Sequence, residues 1–137
     1  MEKTRTTADP GLIHLTSNQS VDDIVRRLLE LLQEKHVKVF AVIDHSGEAE
    51  AAGLHMPNTK LVIFGNPRAG TPLMLAKPEI AFDLPLKILI AEAEDHATQI
   101  TYEAPEHLAI RHSLDATDVA NLTVIESIAS TIAASAK

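Results

Sequence analysis

SVDDIVRRLLELLQEKHVKVFAVID, residues 20–44, is a helix that hands over to a strand, and this passage decides the fold. Val21, Val25, Leu28 and Leu32 recur at spacings of four, three and four residues, which is one face of a helix; Ile24 and Leu31 widen it. Arg26, Arg27, Glu30 and Glu34 take the opposite side. Ser20 stands where an N-cap hydroxyl accepts from the first free amides, and Asp22 and Asp23 complement the positive end of the helix dipole. After Lys35 and His36 the pattern becomes extended. Val37–Asp44 reads as a strand whose second half is apolar on both faces, which predicts a place in the sheet interior.

Toward the N-terminus, Leu12-Ile13-His14-Leu15-Thr16 alternates as a short strand, behind a polar segment (residues 1–10) expected to be flexible. Toward the C-terminus, His45–Ala52 suits a short helix, with Ser46 near its start and Gly53 at the left-handed position past its end. Lys60–Phe64 is a second apolar strand, closed by the turn-forming Gly65-Asn66-Pro67. Thr71 is expected to cap one helical turn that Pro72 begins, and Ile80–Pro85 to run extended ahead of its proline. Leu86–Ala91 and Ala97–Tyr102 form a hairpin around the acidic Glu92–Asp95 turn. Pro105 starts a further helical turn, and Leu122, Ile125, Ala129, Ile132 and Ala136 mark a last helix. The order predicts one α+β domain over residues 11–137, with helices packed on one face of an antiparallel sheet.

A chain of 137 residues fits one domain, and 45% hydrophobic residues exclude disorder for most of it. Twelve basic against nineteen acidic residues give a formal charge of -7, which opposes nucleic acid and anionic membrane, since both need a basic face. With no cysteine, a disulfide framework, a thiolate nucleophile and a cysteine zinc site are excluded. The opening MEKTRTTADPG lacks the apolar stretch of a secretory signal. Leu84–Ala93 and Ala120–Ala136 are too short or too polar to span a bilayer. A cytoplasmic protein is expected, with no cofactor and no metal.

The middle of the chain resembles a known family. Val39-Phe40-Ala41-Val42-Ile43-Asp44-His45, then Ala49, Gly53 and Pro57, resemble the opening of the pattern of the family called domain of unknown function 302. Leu61-Val62-Ile63-Phe64-Gly65-Asn66-Pro67, Gly70-Thr71-Pro72-Leu73-Met74 and Asp83-Leu84-Pro85-Leu86-Lys87 continue it, and Tyr102 with Pro105–Arg111 fits its end. The resemblance covers residues 11 to 112. It implies a β-α-β(4)-α domain with a TATA-binding-protein-like architecture, and it implies no reaction. Family members often carry glycine where His36 closes the first helix, which implies a left-handed conformation at His36.

Several residues are candidates for chemistry. Asp44-His45 follows a strand and precedes a helix, where functional groups are often presented; His45 would serve as general base, with Asp44 accepting from it. The bland alternative has Asp44 capping the helix, because adjacent extended side chains point apart. The Phe64-Gly65-Asn66-Pro67-Arg68 turn, running on to Thr71, offers amides and a guanidinium to an anion, or is a tight turn and no more. His45 and His55 are ten residues apart, and His107 and His112 five, off the i, i+4 register of a helical zinc motif. Asp83 and Lys87 flank a strand entry and either pair or line a pocket with Asp44.

The leading expectation is a binding module, a homodimer, that takes a small molecule or anion between sheet and helices. Asp44, His45, His55, Phe64, Gly65, Asn66, Pro67, Arg68, Thr71, Asp83 and Lys87 would line that pocket. An enzyme using His45 with Asp44 or Asp83 in acid–base chemistry on a small substrate is the alternative. A structural or protein-interaction module is the third reading.

Overall fold

The computed structural model describes residues 3–5 and 11–134. In chain order they form β1 (Lys3–Arg5), β2 (Leu12–Ser17), α1 (Val21–Glu34), β3 (Lys38–Asp44), α2 (His45–Ala51), β4 (Thr59–Gly65) and α3 (Pro67–Ala76). A 3-10 turn at Pro78–Phe82 follows, then β5 (Leu86–Glu92), β6 (Thr98–Glu103), α4 (Pro105–His112), α5 (Ala116–Ala120) and α6 (Val124–Ala134). The strands make one sheet in the order β1-β2-β6-β5-β4-β3, with each neighbouring pair antiparallel. Leaving out β1, the order is the expected β-α-β(4)-α. β1 is an edge strand contributed by the segment expected to be flexible; residues 1–2 and 6–10 of that segment lie outside the described residues, as does Ala136 of the last helix.

α1 forms where its spacing places it. Ser20 Oγ accepts from Asp23 N at 3.0 Å, and Val21, Ile24, Val25, Leu28, Leu31 and Leu32 are all buried. Its C-terminus closes with His36 at φ 59°, as the family resemblance implies. His36 N donates to Gln33 O and Val37 N to Leu32 O, the paired bonds of a Schellman cap, which offset the strain of a left-handed histidine. α1 and α6 pack side by side on one face of the sheet. There Ile13, Leu15, Val62, Phe64, Ile88, Ile90 and Ile100 meet Ile24, Leu28, Leu32, Ile125, Ile128 and Ile132 in one core. Each such side chain contributes roughly 1.5–3 kcal/mol.

Three expectations are corrected. β3, expected in the interior, is the outermost strand, and Val39, Phe40 and Val42 are exposed. An unbroken apolar run fits a strand covered on both faces equally well as an edge strand left bare, and periodicity alone does not separate them. α3 starts one turn before Thr71: Asn66 Oδ1 accepts from Arg68 N at 2.9 Å, Pro67 is the first helical residue, and Pro72 lies inside the helix. Ile80–Phe82 belongs to the 3-10 turn rather than to an extended run; the Leu84–Pro85 bond that follows is cis. Among the described residues, no helix is long and apolar enough to cross a membrane.

Candidate functional site

The expected single entrance is divided by the β3–β4 ladder. Asp44 pairs with Lys60 at one end of it and Lys38 with Gly65 at the other. The five residue steps from Lys60 to Gly65 span roughly 16 Å. Asp44, His45 and His55 therefore lie at one end, and the Gly65–Thr71 segment at the other. The polar blocks all fall at strand ends, as the sequence suggests, but antiparallel neighbours finish at opposite ends of the sheet.

At the first end, Asp44 caps α2. Its Oδ1 accepts from Gly47 N at 2.9 Å and Ser46 Oγ at 2.7 Å, and these bonds, Ser46 first, hold its carboxyl below the usual carboxylate value. A Cβ on Gly47 would fall against that carboxylate, so the cap itself requires glycine there. Ser46 Oγ in turn accepts from Thr59 N at 3.0 Å, tying α2 to β4. His45 is exposed on the first turn, and Asp44 turns toward the α2 amides. His55 faces Glu50 at 3.6 Å, with both side chains in solvent. This arrangement is a helix cap, and the His45 acid–base pair with Asp44 is not assembled; Asp83 is farther still, beyond the other end of the sheet.

At the second end the chain builds a cleft of about 720 Å³. Phe64, Gly65, Pro85 and Leu86 form its sheet side, with Val37 and Phe40 beside them. Pro67, Ala69, Gly70 and Met74 of α3 make one wall, and Leu122 and Val124, before and in α6, make another. Lys35, Asn66 and Asn121 are its polar members. Phe64, Gly65, Asn66 and Pro67 thus line a cavity as expected, whereas Arg68 and Thr71 are exposed and outside it. The turn is not an open cradle for an anion. Arg68 N is taken by the Asn66 side chain, and Ala69 N and Gly70 N both donate to Asn66 O at 2.9 Å.

Asp83 belongs to a third group. His112 Nε2 and Arg111 Nη1 both reach its Oδ2, at 2.6 and 2.9 Å, and Arg111 Nη2 reaches Glu103 Oε2 at 2.6 Å. His107 Nδ1 lies 2.7 Å from the same Glu103 oxygen. Burial pulls the Asp83 carboxyl up, but the hydrogen bonds from His112 and Arg111, with their charges, outweigh it and leave it below its ordinary value. The group flanks a second, open depression of about 940 Å³, lined also by Leu12, Pro78 and Phe82. Lys87 does not pair with the Asp83 carboxylate; its Nζ donates to the carbonyls of Asp83 and Pro85, both at 3.0 Å. A signal for this network is present in the sequence: Glu103, His107 and Arg111 follow one another at four-residue spacing, the last two on one face of α4 and Glu103 at the end of β6 before it. Gly11 is fitted to it as well, since a Cβ there would overlap the His107 ring. Among the described residues, no three histidine, aspartate or glutamate side chains converge as a metal site.

Comparison with known proteins places this geometry in context. The family model described as "Domain of unknown function DUF302" matches residues 13–134, so the family pattern runs through α6, past the Arg111–His112 limit that the sequence resemblance implies. The crystal structure of an uncharacterized conserved DUF302 protein from Bacillus stearothermophilus superposes with a TM-score of 0.75 at 15% identity, covering 91% of this chain and 97% of that one. Proteins named as fluoride-specific ion channels are 40% identical over 106 residues: FluC 1 of Brucella suis biovar 1 and FluC 2 of Brucella melitensis biotype 1. That match takes in 77% of this chain but 42% and 39% of theirs, so the chain spans about two fifths of the curated relatives it matches.

Proposed function

Because the chain belongs to the DUF302 family, whose name assigns no reaction, its own cavities supply the functional reading, and we propose that it is a cytoplasmic binding module for a small, largely apolar molecule. The observation that supports this is the cleft of about 720 Å³ at the end of the sheet, within the size range of small-molecule sites and lined mainly by Val37, Phe40, Phe64, Met74, Leu84 and Leu122. Lys35 stands at its margin as a charge-bearing group for an acidic end of the ligand. Acid–base catalysis receives less support, since Asp44 is taken up by the α2 cap and Asp83 is held by Arg111 and His112.

The test uses anilinonaphthalene sulfonate, an apolar fluorophore with an anionic group, and the variant Gly70→Leu. A Cβ at Gly70 meets Leu84 and Met74 at ordinary contact distances, so a leucine there projects into the cleft from a helical position that tolerates it. Wild-type protein is expected to bind the probe at one saturable site, and Gly70→Leu to weaken it about tenfold, ~1.4 kcal/mol, with an unchanged or higher melting temperature. Equal affinity in both proteins would remove the cleft from the reading.

The curated relatives favour a second reading, in which the domain works beside a fluoride channel as an accessory part. Melting temperatures in sodium fluoride and in sodium chloride at matched ionic strength test whether the domain itself senses the ion. A fluoride-specific rise supports that role, and identical curves oppose it.

A further inference from the structure

The two edges of the sheet differ in kind. β1 is three residues long, with two basic residues in its sequence, the short and charged form by which sheets discourage further pairing. β3 at the opposite edge is seven residues long, and Val39, Phe40 and Val42 are 36%, 46% and 43% exposed. Among the described residues no strand pairs with its outer side. α2 leaves that side open, because it turns back over β4, where Ser46 Oγ accepts from Thr59 N. A long, apolar and uncovered edge is a template for another strand.

We propose that the strand it takes is β3 of a second copy of this chain, joined antiparallel about a two-fold axis at Val42. A β-bulge at Phe40, between Val39 and Ala41, interrupts the regular run, leaving Ala41–Asp44 in regular register. Centring the two-fold on Val42 sets Val42 against its own counterpart and Ala41 against Ile43, and brings Asp44 opposite the bulged Phe40. Each pair then shares a face. Val42 and Asp44 align with Val62 and Lys60 on the helix-covered side, and Ala41 and Ile43 with Ile63 and Leu61 on the open one.

Charge favours the same partner and the same direction. Lys38 Nζ stands 5.5 Å from the centre of the Phe40 ring, beside the position that the second copy's Asp44 would occupy. The two-fold repeats this pairing, so each copy supplies one cation and one carboxylate to the junction. A parallel approach would instead bring Lys38 to Lys38 and Asp44 to Asp44. The result is one sheet running through both molecules, with β1 as its only edges among the described residues.

The absence of cysteine from the sequence makes the test direct. Facing residues of an antiparallel pair have Cα atoms about 4.5–5.5 Å apart, within the usual disulfide range. Val42→Cys is therefore expected to oxidise to a covalent dimer, while Thr16→Cys, on the exposed side of β2, is not. Light scattering should give wild-type protein twice the 14.8 kDa chain mass. Val42→Lys and Val42→Glu, which set like charges against each other, should each run at the single-chain mass with the wild-type circular dichroism. Mixing these two variants should restore the doubled mass, a rescue that misfolded protein would not give. A wild-type chain that stays monomeric at high micromolar concentration would overturn the proposal. So would a dimer that forms no covalent link in Val42→Cys or persists in Val42→Lys.

Discussion

At Asp83 the Arg111 guanidinium and the His112 ring share one carboxylate oxygen, and the His112 side chain is only 8% exposed. Replacing one partner of such a group leaves the other desolvated and unpaired, so Asp83→Ala is expected to cost about 2 kcal/mol, read as a lower midpoint in urea. The pH dependence has a definite sign. The folded-state pKa of Asp83 lies below its ordinary value of 3.8, so the stabilisation is complete above that value and is lost as pH falls through the folded one. Acid titration of the melting temperature should therefore be shallower below about pH 4 in Asp83→Asn than in wild type. Asp83 is legible in the sequence as a strand-entry carboxylate, but its partners are not. His107 and Arg111 carry the stripe of an ordinary solvated helix face, and Glu103 the end of a strand, until the 3-10 turn sets Asp83 against α4. Asp44 is the reverse case: the cap that the sequence offers as its bland role is the one it performs, and Asp44→Ala should lower the melting temperature while His45→Ala leaves it unchanged.

Among the elements, α1 and the β5–β6 hairpin are fully legible, because their patterns are long and their ends carry caps or turn residues: Ser20 and the His36 closure for one, the acidic turn for the other. α3 is not, because two prolines compete for its first position. Each has a capping side chain ahead of it, Asn66 and Thr71; it is Asn66 that caps, and this leaves Pro72 with no amide to donate to Arg68 O. An interior proline costs a helix about 3 kcal/mol, part of which is offset by the freedom it removes from the unfolded chain. Pro72 is exposed, so no packing is lost on replacing it. Pro72→Ala is therefore expected to stabilise the protein by about 2 kcal/mol, measured by denaturant unfolding, and an unchanged midpoint would mean that the bend of α3 is held by other contacts. β3 is misplaced in the sequence for a different reason. Its apolar residues are the right kind for an interior strand, and only the topology, which sets it last in the sheet, leaves them bare.

For the whole molecule, the cleft and the β3 edge are joined through one residue. Phe40 borders the cleft, with its ring 3.6 Å from where a Gly65 Cβ would stand, and it is also half-exposed at the edge that the second copy would cover. In a lone chain this ring has solvent on one side and a bulged backbone beneath it. Pairing through β3 fixes that backbone and removes the solvent, so a ligand entering the cleft of a dimer has less ordering to bring about. Binding and pairing are then coupled, and coupling of this kind is reciprocal: each bound ligand adds to dimer affinity the factor that dimerisation adds to its own affinity. Anilinonaphthalene sulfonate titrated into wild-type dimer and into monomeric Val42→Lys should reveal a several-fold tighter site in the dimer. Saturating probe should strengthen wild-type self-association by the square of that factor in sedimentation equilibrium, since each dimer carries two clefts. Equal probe affinities would show that Phe40 serves the two surfaces independently, and a departure from the squared relation would mean that the probe also binds outside the cleft.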